Sequence, residues 1–217
     1  MKPATGTSRR LASPLERPLE RPLLGRTPAP VAWTPSPRVI PARVVIRPAR
    51  PDDLEDATLL ERRVWGGMAA TLNEMQRRLF ALPEAFLLAE LQRNGLPGSI
   101  VGLINGVIWT RDFPRAPGDY EKVLPSTSHN PRGDVLYIAA LGVDPAWRGR
   151  GIALRILQEI AAVGRRRHLK YLRLIGNSRC RPLMERAGFQ ESRPLNGLFR
   201  RHRDQMPQPA LMEMPLL

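Results

Sequence analysis

ALGVDPAWRGRGIALRIL, residues 140–157, joins three kinds of chain in succession. It begins as the end of an apolar run, Val135 to Val143, that predicts a strand. Asp144-Pro145 stops the run, and an amphipathic helix opens after a glycine-rich turn. Gly149 and Gly151 carry no Cβ, so backbone amides in the turn can point at one ligand at close range. The helix adds its unpaired first-turn N–H groups and the positive end of its dipole, both of which favour a polyanion. Arg148 and Arg150 set two guanidinium groups beside the turn. Strand, turn and helix describe a pyrophosphate site. The plainer alternative is an exposed RGRG turn with solvated arginines.

Spacing restricts which pyrophosphate is meant. A dinucleotide fingerprint needs GxGxxG, and here no third glycine stands in register; a nucleotide P-loop needs a lysine after its last glycine, and none follows. Arg148, Gly151 and Ala153 instead form R-x-x-G-x-A. With the strand before it and the helix after it, this resembles the acetyl-CoA signature of the GNAT superfamily of N-acetyltransferases. A second segment, NSRCRPLMERAGF from Asn177 to Phe189, resembles the superfamily's N-x-x-A-x-x-L-Y-x-x-x-G-F pattern without a gap.

The composition bounds the alternatives. The 217 residues suffice for one domain with a core plus appendages. A formal charge of +14 and a pI near 11.4 would suit a nucleic-acid binder. The excess is nearly all arginine, since lysine occurs only at Lys2, Lys122 and Lys170; this is a bias that GC-rich coding also produces without functional cause, so the charge does not call for a nucleic-acid partner and none is expected. The single cysteine, Cys180, excludes an internal disulfide and fits a reducing, cytoplasmic compartment. No apolar run reaches the roughly 18 residues of a membrane span, no secretory leader is evident, and no Cys/His/acid cluster has metal-ligand spacing.

Residues 1–42 hold nine prolines, a short LERPLERPL repeat and seven basic residues against two acids. Proline at that density favours extended chain, so this part reads as a disordered Pro/Arg-rich tail, with an organelle transit peptide as the lesser alternative. The globular domain spans 43–217. A strand at 44–48 precedes a helix carrying Leu54, Ala57, Leu60, Val64 and Trp65, and a second helix over 71–82 places Leu72, Met75, Leu79 and Phe80 on one side. Two strands, 85–91 and 99–109, flank the Asn94-Gly95 turn. A loop over 110–133 leads to the central strand. The helix from Ile152 buries Ile156, Ile160 and Val163 and ends at Gly164; a strand at 171–176, a short helix to Ala187 and two strands complete the chain.

This order of elements matches the GNAT fold, which implies an α/β (α+β) architecture. Its central, mixed but mostly antiparallel sheet has six to seven strands, about four flanking helices and a splay at the central strands. TLNEMQRRLFALPEAF (71–86), VGLINGVIW (101–109) and HNPRGDVLYIAALGV (129–143) are most similar, within the superfamily, to arylalkylamine N-acetyltransferases. The resemblance implies transfer of an acetyl group from acetyl-CoA to the primary amine of a small molecule in a ternary complex, without metal, and allows a homodimer. It assigns the strand residues Leu141, Gly142 and Val143 to pantetheine, the turn residues Arg148, Gly149, Arg150, Gly151, Ile152 and Ala153 to pyrophosphate, and Asn177 to the pantetheine arm. Asn177 reads equally as a helix cap.

Catalysis is where the chain departs from its relatives. The tyrosine that usually protonates the leaving thiolate is replaced by Met184, which has no proton to give. The two strand histidines of the arylalkylamine enzymes correspond to Tyr137 and Ala139. Tyr137 is thus the candidate catalytic group, with strand packing as its alternative, and Trp65 and Tyr137 are candidate walls for the acceptor. His129 reads as a solvated loop residue. These losses keep open a non-catalytic acyl-CoA-binding regulatory module; protein or peptide N-acetylation is a further alternative, and Trp65 with SRCR (178–181) hints at a GNAT-like loading domain of a polyketide assembly line, a minor option given the usual G-F continuation at 188–189.

Overall fold

A computed structural model describes residues 42–93 and 96–216. The Pro/Arg-rich tail and the Asn94-Gly95 turn lie outside the described residues. The chain runs β1 (Ala42–Pro48), α1 (Leu54–Trp65), α2 (Leu72–Ala81), β2 (Phe86–Arg93), β3 (Leu96–Trp109), β4 (Val135–Val143), α3 (Ile152–Arg166), β5 (Tyr171–Gly176), α4 (Arg181–Arg186), β6 (Gln190–Pro194) and β7 (Ala210–Pro215). The strands form one open sheet in the order β1-β2-β3-β4-β5-β7-β6. Every neighbouring pair is antiparallel except β4 and β5, whose parallel pairing needs a crossover that α3 supplies.

The sheet is covered on both faces. Ile152, Ile156, Ile160 and Val163 of α3 pack on Leu136 and Ile138 of β4 and on Leu172 and Leu174 of β5. Ala57 and Leu60 of α1 and Met75 and Leu79 of α2 meet Leu88, Leu103 and Ala140 on the other face. The apolar periodicities of α1 and α3 therefore mark their buried faces. In α2 the stripe is narrower than its sequence suggests: Leu72 and Phe80 are exposed at 42% and 67%. The inward positions beside Met75 and Leu79 are taken instead by Glu74 and Arg78, both buried.

Two further differences from the sequence reading have local causes. Helix α3 continues through Gly164 to Arg166. At Gly164 a Cβ would stand 2.5 Å from Leu216 Cδ1, so the glycine marks close packing by the C-terminal segment and not a helix end. His129 is half-buried rather than solvated, and its Nδ1 accepts the backbone N–H of Ile108 at 3.1 Å. The loop before β4 is likewise held to the domain. Ser126 donates to Glu74 through its hydroxyl at 2.7 Å, and Arg173 binds Glu213 and the Phe113 carbonyl.

Candidate active site

The site begins where the sheet comes apart. Parallel pairing of β4 with β5 covers only Val135↔Tyr171 to Tyr137↔Arg173, although β4 continues to Val143 and β5 to Gly176. From Ile138 onward the two strands diverge. On its other side β4 pairs Ala140 with Asn105 and Ile138 with Gly106, leaving Ala139 without an opposite residue. This is a β-bulge, which bends a strand and re-aims its groups. Gly106 permits it: a Cβ there would lie 2.7 Å from the carbonyl oxygen of Tyr137.

Below the splay lies the turn. Gly149 and Gly151 have φ of +75° and +74°, and nothing stands within 4 Å of where a Cβ would be, so the backbone conformation and not crowding requires glycine. Gly151 precedes Ile152, the first residue of the 15-residue α3, whose amides open towards the turn. Arg148 Nε donates to the Val143 carbonyl at 3.1 Å and so ties the turn to the end of β4. The guanidinium of Arg150 lies 4.7 Å over the Trp147 ring. Asp144 accepts from the Ala146 amide at 3.0 Å and faces Arg63 of α1 at 3.4 Å.

A cavity of about 880 Å³ runs from this turn through the splay to the underside of α1 and α2. Gly149, Gly151, Ile152 and Ala153 line one part, and Leu141, Gly142 and Val143 continue along β4. Cys180 and Met184 border it from α4 and the turn before it. Asn177 also lines it, but its side chain is engaged within the protein. Its Oδ1 accepts from the Arg179 and Cys180 amides at 3.0 and 3.1 Å, and its Nδ2 donates to the Gln205 carbonyl at 2.9 Å. Burial pushes the Cys180 thiol up, which lowers its nucleophilicity at neutral pH.

The far wall carries the polar and aromatic groups. Tyr137 is 8% exposed and stacks on Trp109; burial pushes its phenol well above the ordinary tyrosine value, so it stays protonated. The Trp65 Nε1 and Tyr120 hydroxyl are buried without a hydrogen-bond partner among the described residues, and both residues line the cavity. Beside them stand Glu61 of α1 and Arg78 of α2, a pair the sequence reading passed over. Glu61 Oε1 accepts from the Ala70 amide at 2.9 Å and lies 3.9 Å from Arg78 Nη1. Its Oε2 is buried without a hydrogen-bond partner among the described residues. Arg78 is held by Glu74 at 2.9 Å and by Asn105 Oδ1 at 3.2 Å. Burial raises the Glu61 carboxyl above the usual range, against the opposing pull of Arg78. The sequence did contain a signal: Glu61 occupies the same helical stripe as Ala57, Leu60 and Val64, where an acid is costly unless it is used.

The model of the acetyltransferase (GNAT) family matches residues 53–189, which span the splay, the turn and the short helix α4. The chain belongs to the GNAT acetyltransferase family. Among solved structures it is similar to the GphF GNAT-like decarboxylase in complex with isobutyryl-CoA: 21% identity, a TM-score of 0.66, and coverage of 80% of this chain and 100% of that one. It is also similar to the loading GNATL domain of CurA from Lyngbya majuscula, with 16% identity, a TM-score of 0.64 and coverage of 80% and 98%. A third is the ribosomal-protein-S18-alanine N-acetyltransferase from Escherichia coli, at 18% identity, TM-score 0.56 and coverage of 80% and 94%. At these identities the likeness is one of fold. Comparison with curated proteins returned no match. As a GNAT protein the chain has an acyltransferase fold with a place for acyl-CoA and for an acceptor. Among the described residues no group of three or more His, Cys, Asp and Glu is placed to hold a metal, and no helix is long and apolar enough to cross a membrane.

Proposed function

We propose that this protein transfers an acetyl group from acetyl-CoA to the primary amine of a small molecule by direct attack in a ternary complex. One observation carries the reading: a single cavity joins the glycine turn at the start of α3 to the polar wall under α1 and α2 through the splay of β4 and β5. Donor and acceptor held in one cavity need no acyl-enzyme.

The amides of Gly149, Gly151, Ile152 and Ala153, with Arg148 in the cavity wall and Arg150 reaching in from its place over the Trp147 ring, take the pyrophosphate. Leu141, Gly142 and Val143 offer the β5-facing side of β4 to pantetheine as an added strand would, apart from the Val143 carbonyl, which accepts from Arg148. Asn177 shapes that channel. A backbone N–H near the bulge polarises the thioester carbonyl. Trp65 and Tyr137 form the acceptor wall. The arylalkylamine-like stretches at 71–86 and 129–143 support a small amine, and the lone Cys180 suits a cytoplasmic setting.

Met184 supports a second reading, an acyl-CoA-binding module without turnover, because no proton donor stands at the position that usually protonates the thiolate. The two separate in a thiol-release assay with acetyl-CoA and a panel of arylalkylamines, polyamines and peptide N-termini, run beside thermal unfolding with CoA. Turnover on small amines is the expected result. Protection by CoA with no thiol released on any member of the panel would overturn it.

A further inference from the structure

We propose that Glu61 is the base that takes the proton from the acceptor amine, an assignment that rests on the amine-transfer reading above. Its Oε2 is a buried carboxylate oxygen with no hydrogen-bond partner among the described residues, and Glu61 lines the cavity, so this oxygen is left to accept an N–H that those residues do not supply. Its location fits the reacting centre. Val64, one turn after Glu61 on α1, packs on Gly142, where a Cβ would lie 3.3 Å from the Val64 side chain. Asn105, which holds Arg78 beside Glu61, pairs with Ala140 next to the bulge at Ala139.

The charged and titratable groups around Glu61 are Arg78 and Glu74 on α2, with Asn105 on β3 and the Ala70 amide as neutral partners. Tyr137 on β4 and Tyr120 in the loop before it line the same end of the cavity. Arg78 makes its shorter contacts to Glu74 and Asn105, and Glu74 is further held by Ser126, so protonating Glu61 leaves that network intact. Two other candidates from the sequence are poor bases in this fold. Tyr137 stays a protonated phenol, and the Nδ1 of His129 is committed to the Ile108 amide.

The step balances as follows. The amine lone pair forms the C–N bond at the thioester carbonyl carbon, and the C–S electron pair leaves on sulfur. One N–H proton passes to Glu61 Oε2. Water then protonates the CoA thiolate and takes the proton back from Glu61, which ends as a carboxylate.

The test compares wild type, E61Q and E61D on the best amine of the panel, with kcat measured from pH 5 to 9, CoA affinity by calorimetry, and thermal unfolding. The E61Q variant is expected to lose about a hundredfold or more in kcat at pH 7, to lose the acid limb that wild type shows, and to keep its CoA affinity. Partial activity with a retained acid limb is expected of E61D, which a purely structural role would not produce. Should E61Q fail to fold, the wild-type and E61D profiles decide, and a flat kcat through the acid range in both overturns the assignment. A folded E61Q within tenfold of wild type, or one that keeps the acid limb, also overturns it while leaving amine transfer standing. If wild type acetylates no amine at all, the amine-transfer reading falls and this assignment falls with it.

Discussion

Tyr137 and Trp109 stack across neighbouring strands with ring centroids 3.8 Å apart and planes 11° from parallel. Tyr137 pairs with Val107 and Trp109 with Val135, so the two rings meet on the diagonal of the β3–β4 ladder, where large side chains reach each other. The stack gives Tyr137 a structural role whatever its hydroxyl does. Y137F is expected to keep the fold and to leave the alkaline side of the kcat profile unchanged, since burial holds the phenol protonated there. Y137A is expected to cost about 3–5 kcal/mol by denaturant unfolding. A large fall in kcat for Y137F without loss of stability would assign the hydroxyl a chemical role.

The turn offers a sharper test. G151A places a Cβ in open space but at φ +74°, so its cost is conformational, about 1–2 kcal/mol if the turn is kept. Relief of that strain would re-aim the amides before α3. CoA affinity is therefore expected to fall at least tenfold by calorimetry, with a smaller effect on the unfolding midpoint of the CoA-free protein.

G106A probes the bulge. Its Cβ would stand 2.7 Å from the Tyr137 carbonyl oxygen, which is backbone and has little freedom to retreat. The expected loss is about 1–3 kcal/mol, together with a fall in kcat as β4 shifts beside Ala139. Unchanged kinetics would show that the bulge geometry does not matter to the reaction.

Asn177 separates cap from ligand. Its side chain satisfies two amides and one carbonyl, so N177A is expected to lower stability by about 1–2 kcal/mol. CoA affinity should change less than threefold. A larger drop in affinity in a variant of normal stability would place the amide on the pantetheine arm.

His129 gives a pH dependence whose sign follows from its burial. Burial holds its folded-state pKa below the ordinary 6.5, so the unfolded chain binds more protons in the window beneath that value. Stability contributed by neutral His129 is present above pH 6.5 and is lost as pH falls through that window, because the protonated ring can no longer accept from Ile108. Unfolding midpoints of wild type and H129Q between pH 7.5 and 5 check this, and the variant should show the shallower acid loss.

Much of the scaffold was legible because its signals are local. The stop at Asp144-Pro145, the two glycines and the stripe of Ile152, Ile156, Ile160 and Val163 each act within a few residues, and all appear as read. Errors arose where a distant contact overrode a local rule. Gly164 looked like a helix end but makes room for Leu216, 52 residues on. Phe80 looked like core, yet the inward positions of α2 went to Glu74 and Arg78, because Asn105 and Ser126 supply the partners that make burying charge tolerable.

By itself, then, the sequence determined a strand, a glycine turn and a helix in the order of a candidate anion cradle, because backbone conformation and periodicity are properties of neighbouring residues. Only the tertiary structure decided what stands opposite that cradle. Glu61, Arg78 and Asn105 lie on three separate elements, and each alone is an ordinary polar residue. They become a buried charged wall only when α1 and α2 pack over the bulge in β4, since burial and partnership, which set the chemistry of a carboxylate, are properties of the assembled fold.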